Sequence, residues 1–444
     1  MHRALRLGAV LLAALVVAPL SGQTSTPAAG PSPSNEESDV PGEQRAPLTL
    51  AEVRRRALQN NPSYLAELRR LDAARADLKT AGTYPFNPQA EFESPGSLTD
   101  GGVGGYEMRL GQEIEWAGQR GLRTDASTAG VAATRADLLD GTRRLLADVE
   151  RAYVALAAAE ERLAVIRQIE TLNARLLEAV RVELAEGEIS LLEANLAEIE
   201  SARARAAVFA VEQEVASAAI ELGRLMGDHP AAPEALEADA GLELSAPVED
   251  DSTAVAMALA ARPDVRAAAS ALERTATLRR LAGRESLPNL RISALADRDN
   301  ASAEPRFGLS LGIPIPLFDR NQGLRARREA EAEQAGLAMS ATELAVRAEV
   351  ADALRAYRAT GVELEIFRSD VLEPARRNQD LLDVAYREGK LDLSSLLLLR
   401  DQLLNAELGY WSAWERRYHA VVALRSATGA ILDDATDHLP ETLR

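Results

Sequence analysis

Between Arg306 and Gly323 the chain reads RFGLSLGIPIPLFDRNQG, and this stretch limits the possible folds more than any other. Phe307, Leu309, Leu311, Ile313 and Ile315 take every second position, with Arg306, Gly308, Ser310, Gly312 and Pro314 between them. A strand sends alternate side chains to opposite faces, so this is a strand with one apolar and one small or polar face. Its length of about ten residues suits a tilted strand crossing a membrane. Pro314 and Pro316 cannot donate to a ladder and end the sheet. Asp319 is then placed to cap a helix, and the pattern that follows stays helical for a long way.

The same strand-to-helix unit occurs earlier. In Gly105–Arg120, Tyr106, Met108, Leu110, Ile114 and Trp116 alternate with Glu107, Arg109, Gly111, Glu113 and Glu115. Other landmarks repeat at nearly the same displacement. Ala57-Leu58 before Pro62 answers Ala258-Leu259 before Pro263, and Arg151-Ala152-Tyr153 answers Arg355-Ala356-Tyr357. Glu186-Gly187 answers Glu388-Gly389, and Gly227 answers Gly429. An ordered series at near-constant spacing means duplication.

The chain of 444 residues divides accordingly. Residues 1–22 read as a secretory signal peptide, with Arg3 and Arg6 ahead of an apolar run too short for a spanning helix. Residues 23–47, rich in Pro, Ser and acids, read as a disordered leader. The first copy covers 48–227 and the second 252–429, joined by a proline- and acid-rich connection at 228–251 and followed by a loose tail at 430–444. Each copy is expected to run helix, strand, strand, long helix, tip and return helix. The strands fall at about 89–94, 105–116, 289–296 and 306–315, and the tips near Gly187 and Gly389.

Nothing compels a break between Gly118 and Glu186, a helix of roughly 100 Å at about 1.5 Å per residue. Leu145, Val149, Ala152, Leu156, Ala159, Leu163 and Ile166 keep the 4-3 spacing of a coiled-coil seam. The return helix after Ser190 carries a stripe of Leu192, Leu196, Ile199, Ala202, Ala206 and Phe209. Its counterpart carries Leu396, Leu399, Leu403, Ala406, Tyr410 and Ala413, with Trp411 and Trp414 packing it. Pro374 must kink or unwind the second long helix.

Composition removes whole classes of function. A net charge of −18 argues against a nucleic-acid surface. With no cysteine there is no thiolate chemistry, disulfide or zinc ribbon. His2, His229, His419 and His438 are far apart with no nucleophile motif nearby, so neither catalysis nor a metal site is expected, and no cofactor. Four amphipathic strands cannot close a membrane barrel, because bacterial barrels have at least eight. An open edge in lipid is not tolerated, so other copies must complete the sheet. Two copies supply eight strands and three supply twelve.

The chain resembles the TolC-like outer-membrane efflux channels, in particular the branch serving heavy-metal pumps of the cobalt–zinc–cadmium type. The resemblance rests on Gln112–Arg120 (QEIEWAGQR), Ile313–Asn321 (IPIPLFDRN), Glu186–Leu192 (EGEISLL), Leu372–Ala375 (LEPA) and Tyr386–Gly389 (YREG). It implies a mainly α fold with a small β part. A homotrimer would form a 12-stranded β-barrel in the outer membrane, continued by a long α-helical barrel through the periplasm. The partners implied are a periplasmic adaptor (membrane fusion protein) and an inner-membrane RND pump, and the barrel alone would hold the lipid, since the lipidated cysteine of many relatives is missing. Adaptor docking falls at the tips, on Gly187, Glu188, Ser190, Gly389, Lys390 and Asp392, with Pro374, Tyr386 and Arg387 as gating candidates. On the strands, Glu91, Glu93, Glu107, Arg109, Glu113 and Glu115 line the lumen, and Trp116 and Phe318 mark the membrane interface. Two readings compete: the same fold serving drug efflux or type I protein secretion, and a soluble periplasmic coiled-coil scaffold. The paired strands in both copies speak against the scaffold.

Overall fold

The computed structural model describes residues 48–94, 105–228, 238, 240–241, 250–298, 304–388, 390–440 and 443. The signal peptide and leader, both strand-to-strand loops, most of the connecting segment and Gly389 lie outside the described residues. Four strands, β1 (Gln89–Glu93), β2 (Tyr106–Ile114), β3 (Leu290–Arg298) and β4 (Pro305–Gly312), form one antiparallel sheet in the order β1-β2-β3-β4. Each copy thus gives one hairpin. The two hairpins meet along β2 and β3, leaving β1 and β4 as the edges. Pro314 and Pro316 follow the end of β4 at Gly312, where a ladder could not have continued.

Helices lead into and out of the sheet. The first copy has α1 (Leu50–Asn60), α2 (Pro62–Gly82), α3 (Gln119–Glu186) and α4 (Leu191–Met226). The second has α5 (Asp251–Ala261), α6 (Pro263–Arg284), α7 (Gln322–Ile366), α8 (Glu373–Arg387) and α9 (Leu393–Thr428). The opening stretch of the second copy is two helices, as in the first copy. Arg262 before Pro263 and Asn61 before Pro62 are both extended, the conformation a following proline imposes. The two elbows dock alike: Asn61 Nδ2 donates to Leu225 O at 2.9 Å and Arg262 Nη1 to Ala427 O at 3.1 Å, each at the end of its copy's return helix.

α3 is a single helix of 68 residues and the backbone of the fold. Its seam is real: Val149, Leu156, Ala159, Leu163 and Ile166 are buried, and Leu145 and Ala152 half-buried. On the sheet side α2, α3, α6 and α7 lie in that order, and on the tip side α4, α3, α9 and α7–α8. The interior is several separate clusters along the helices, in keeping with an elongated bundle.

Three expectations need correction. Asp319 does not cap α7; Asn321 stands at the N-cap with φ 57°, and Asp319 Oδ1 accepts the Asn321 amide at 2.9 Å. The first copy enters α3 through Gly118, also left-handed at φ 79°. In both copies the first helical glutamine reaches back: Gln119 Oε1 accepts from Ala117 N at 2.9 Å and Gln322 Oε1 from Arg320 N at 2.8 Å. The joint therefore needs a residue at ease with positive φ, and Asn is the next best after Gly. Asn321→Gly should melt with the parent, while Asn321→Val should lose about 1–2 kcal/mol, read as a lower thermal midpoint.

The second correction is the tail. Ala430–His438 is a 3₁₀ helix, and Ile431, Leu439 and Leu443 are buried in the cluster that holds Leu58, Leu71 and Leu146. Third, the α4 stripe faces outward: Leu192, Ile199 and Phe209 are exposed, and Ala194, Ala197, Ser201, Ala204 and Val211 are the buried positions. The periodicity finds an apolar face correctly but not the partner that covers it. Pro374 acts as expected: the second long helix is locally unwound by a π turn, Phe367–Leu372, just ahead of it. A proline lacks the amide for the preceding turn, and the wider turn absorbs the mismatch.

Candidate functional site

The register of the sheet sorts its side chains into two faces. One face has the rows Phe92–Met108–Ala296–Phe307 and Ala90–Leu110–Ala294–Leu309, followed by Ile292 opposite Leu311. These side chains are largely open in the single chain, with Phe307 81 % and Leu309 86 % exposed. An apolar face this wide cannot remain in water.

The other face is polar throughout, except for Leu295. Its rows are Gln89–Gly111–Ser293–Ser310, Glu91–Arg109–Leu295–Gly308 and Glu93–Glu107–Asp297–Arg306, with Glu113 opposite Arg291 and Arg291 opposite Gly312. Glu91, Glu93, Glu107, Arg109 and Glu113 therefore share one face. The charges are interleaved: Arg109 lies 2.6 Å from Glu107 and 4.0 Å from Glu91, Arg291 3.8 Å from Glu113, and Arg306 2.8 Å from Asp297. Glu115 is placed differently. It lies past the end of β2 and binds Arg123 in α3 through both oxygens, with its side chain 6 % exposed.

The strand-to-helix joints hold residues that alternation could not reveal. The Tyr84 hydroxyl donates to Glu113 O and accepts from Glu115 N, both at 2.8 Å, gripping the exit of β2. Gln112 Nε2 donates to Phe86 O at 2.9 Å. The Trp116 ring is exposed while Nε1 donates to Pro288 O at 2.9 Å, tying the first copy to the second. Phe318 is 92 % exposed. The only signal for Tyr84 was its place ahead of β1, since a clamp to backbone leaves no periodic trace.

At the tip, Gly187 ends α3 at φ 75° and Glu188 N donates to Glu183 O at 2.9 Å. Ser190 then caps α4 in a reciprocal box with Glu193. Hydrogen bonds from the Ser190 amide and hydroxyl hold the Glu193 carboxyl below its usual range, and the Ser395 amide and hydroxyl do the same for Asp392, the cap of α9. The sign follows directly: these caps contribute fully above the ordinary carboxylate range and are lost only as pH falls below it. Lys390 pairs with Glu388. The two hairpins are joined by an apolar cluster, Leu176, Leu177, Val180, Leu393 and Leu396, with Ile189, Leu391 and Tyr386 against it. The Tyr386 hydroxyl also reaches Glu183 Oε2 at 3.4 Å across the hairpins. Arg387 closes α8, but its side chain, like Gly389, is outside the described residues. Pro374 lies in the first turn of α8, well above the tip.

Among the described residues there is no group of three or more His, Asp or Glu placed to hold a metal ion, and no helix long and apolar enough to cross a membrane. The chemistry available is that of a surface: one lipid-compatible face, one charged face, and two capped turns.

Comparison with known proteins agrees with this geometry. The outer membrane efflux protein family matches residues 53–228 and 254–430, one stretch for each copy. The cobalt-zinc-cadmium resistance protein CzcC of Cupriavidus metallidurans is 23 % identical over 389 residues, spanning 88 % of this chain and 92 % of that one. Among solved structures, the outer membrane protein VceC of Vibrio cholerae superposes with a TM-score of 0.72 at 19 % identity, covering 86 % of this chain and 96 % of that one. The CmeC outer membrane channel of Campylobacter jejuni does so with 0.73 at 16 % identity, covering 96 % and 99 %.

Proposed function

Because the chain belongs to the outer membrane efflux protein family, we propose that it is the passive outer-membrane duct of a tripartite efflux system that exports heavy-metal cations. The observation that carries the duct is the sheet: four strands with one apolar and one charged face and two unpaired edges. Such an edge must find a strand, and β4 of one copy meeting β1 of the next repeats the antiparallel β2–β3 contact within the chain. The contact is head-to-tail, so a closed ring results. Three copies give twelve strands, within the range of bacterial barrels. The apolar rows then face lipid and the charged rows the lumen, with Trp116 and Phe318 at the interface.

The choice of metal cations rests on the likeness to CzcC, whose name states cobalt, zinc and cadmium resistance. A duct needs no tight metal site, since an ion that binds must also leave. Its lumen rows carry five carboxylates and three arginines among the described strand residues, a modest excess of acid that favours cations. The inner-membrane RND pump supplies the selectivity, and the adaptor reaches the tips at Gly187, Glu188, Ser190, Gly389, Lys390 and Asp392. Closure belongs at the same end, with the π turn and Pro374 as the flexible point of the second hairpin and Tyr386 and Arg387 as its latches.

The test is conductance of the purified protein in planar bilayers. The parent should be nearly closed, Arg387→Ala should open it several-fold, and Arg181→Ala should do less, because Arg181 pairs with Glu178 on its own helix, both exposed. A parent that neither inserts nor conducts in any variant would remove the duct. Equal, low conductance in parent and both variants would remove only the latch.

A further inference from the structure

The two return helices are equivalent in sequence but not in surroundings. Ser190 and Asp392 cap their starts, Gly227 and Gly429 their ends, and both pairs are 202 positions apart. α9 lies between α3 and α7, whereas α4 is packed along α3 and is the outermost helix of the tip-side layer. On the side turned to α3, Leu404 and Leu408 of α9 pack on Leu163 and Ile166, and Trp411 and Trp414 on Val154, Ala157 and Ala158. The α4 positions equivalent to Leu404, Leu408 and Trp411 are Ala202, Ala206 and Phe209, and all three are exposed. Phe209 is 69 % open, a large ring at the position where the second copy holds the half-buried Trp411.

The opposite edge of the layer offers the matching surface. α7 carries an outward groove of about 540 Å³ whose lining includes Gly361, Val362 and Ile366 beside the charged Arg358, Glu365 and Asp370, with Val362 63 % and Ile366 49 % exposed. Counted from the paired tyrosines Tyr153 and Tyr357, Ala157 and Ala158 of α3 correspond to Gly361 and Val362 of α7. The surface that receives the α9 aromatics within the chain thus recurs at the far edge, open at Val362 and Ile366. Arg417, drawn over the Tyr357 ring at 3.7 Å, lies against Gly361, where a Cβ would be 3.2 Å from its Nη1, and so lines one side of the groove. The height is also right. Phe367 of the π turn lies against Gly409, and Trp411 is two residues further along α9, so the α9 aromatics and the end of α7 are level.

We infer that Phe209 of one copy seats in the α7 groove of the next, against Gly361, Val362 and Ile366. The seam between copies then repeats the α3–α9 seam inside each chain, with a phenylalanine in place of the tryptophan. This rests on the ring reading above and adds its helical register. An apolar ring in a groove of this kind is the usual anchor of an interface, ringed by polar groups such as Arg358.

Because the chain has no cysteine, the contact can be tested without background. Phe209→Cys and Ile366→Cys in one full-length chain, treated with a short bis-maleimide in native outer membranes, should give covalent dimers and trimers on a denaturing gel. Each single variant should stay monomeric, and Phe209→Cys with Leu337→Cys, further up α7, should do the same. The native mass of the detergent-extracted parent separates the two claims. A trimer by mass without 209–366 product overturns the seam and leaves the ring. A monomer by mass overturns both. Cross-linking of 209–337 in preference to 209–366 overturns the register.

Discussion

Leu311→Arg should almost abolish the assembled protein in the outer membrane, while Ser310→Arg should leave most of it. The two residues are neighbours on β4 and differ only in the face they serve. Leu311 stands opposite Ile292 at the end of the apolar rows and is 65 % exposed in the single chain. Ser310 stands opposite Ser293 in the row that also holds Gly111 and Gln89. Apart from Gln89 that row has small side chains, and a Cβ at Gly111 would already lie 3.2 Å from Ser293 Oγ. An arginine on the lumen side has water and the carboxylates of neighbouring rows to meet. On the lipid face near the midplane it costs about 2–4 kcal/mol, and a ring of three copies carries the cost three times. The measurement is the amount of heat-resistant oligomer in outer-membrane fractions. Equal yields would mean that the two faces have been exchanged, and loss with Ser310→Arg alone would place the lipid on the charged side.

That experiment succeeds or fails on a part of the fold that was legible from residues alone. Alternation over five positions in β2 and β4 identifies strands and faces, because a pleated chain has no other way to segregate them. The equivalence of the copies makes the two hairpins adjacent, and the apolar rows then align without further choice. What the residues hid was whatever depends on a distant partner. The outward stripe of α4 is as periodic as the inward stripe of α9, and periodicity does not say which partner lies on it. Ile431, Leu439 and Leu443 have irregular spacing within an acidic stretch, so their place in the core appears only when α2 and α3 are beside them. The cap of α7 lies two residues beyond the expected Asp319, since Asp319 and Asn321 are both good caps and only the positive φ separates them. Of the site, the charged face was readable, Arg306 included, but Tyr84 and Asp297 were missed, the latter because it stands one residue past the expected end of its strand.

The largest effect on the folded chain itself is expected from Arg54→Ala. Arg54 in α1 contacts Glu150 of α3 with Nε at 2.9 Å and Nη2 at 2.6 Å, and its Nη1 lies 3.1 Å from Asp434 in the tail. Asp434 also binds Arg425 of α9. Two arginines and two carboxylates thus neutralise one another where the start of the first copy, its long helix, the last helix and the tail converge. Glu150 is fully buried, and the side chains of Arg54 and Arg425 are each 8 % exposed. Removing one member leaves a carboxylate in the interior without its main partner, a loss of about 3–5 kcal/mol. Replacing both Arg54 and Glu150 by leucine removes the charges together and should recover much of it, because apolar packing often equals a buried pair. Asp434→Asn should matter far less: its side chain is 42 % exposed, and water screens what it contributes. Thermal unfolding of the detergent-solubilised protein reads all three. The order expected is Arg54→Ala lowest, the double leucine variant higher, and Asp434→Asn near the parent. If the double variant is as unstable as Arg54→Ala, packing volume at this junction governs its stability and the balanced charges do not.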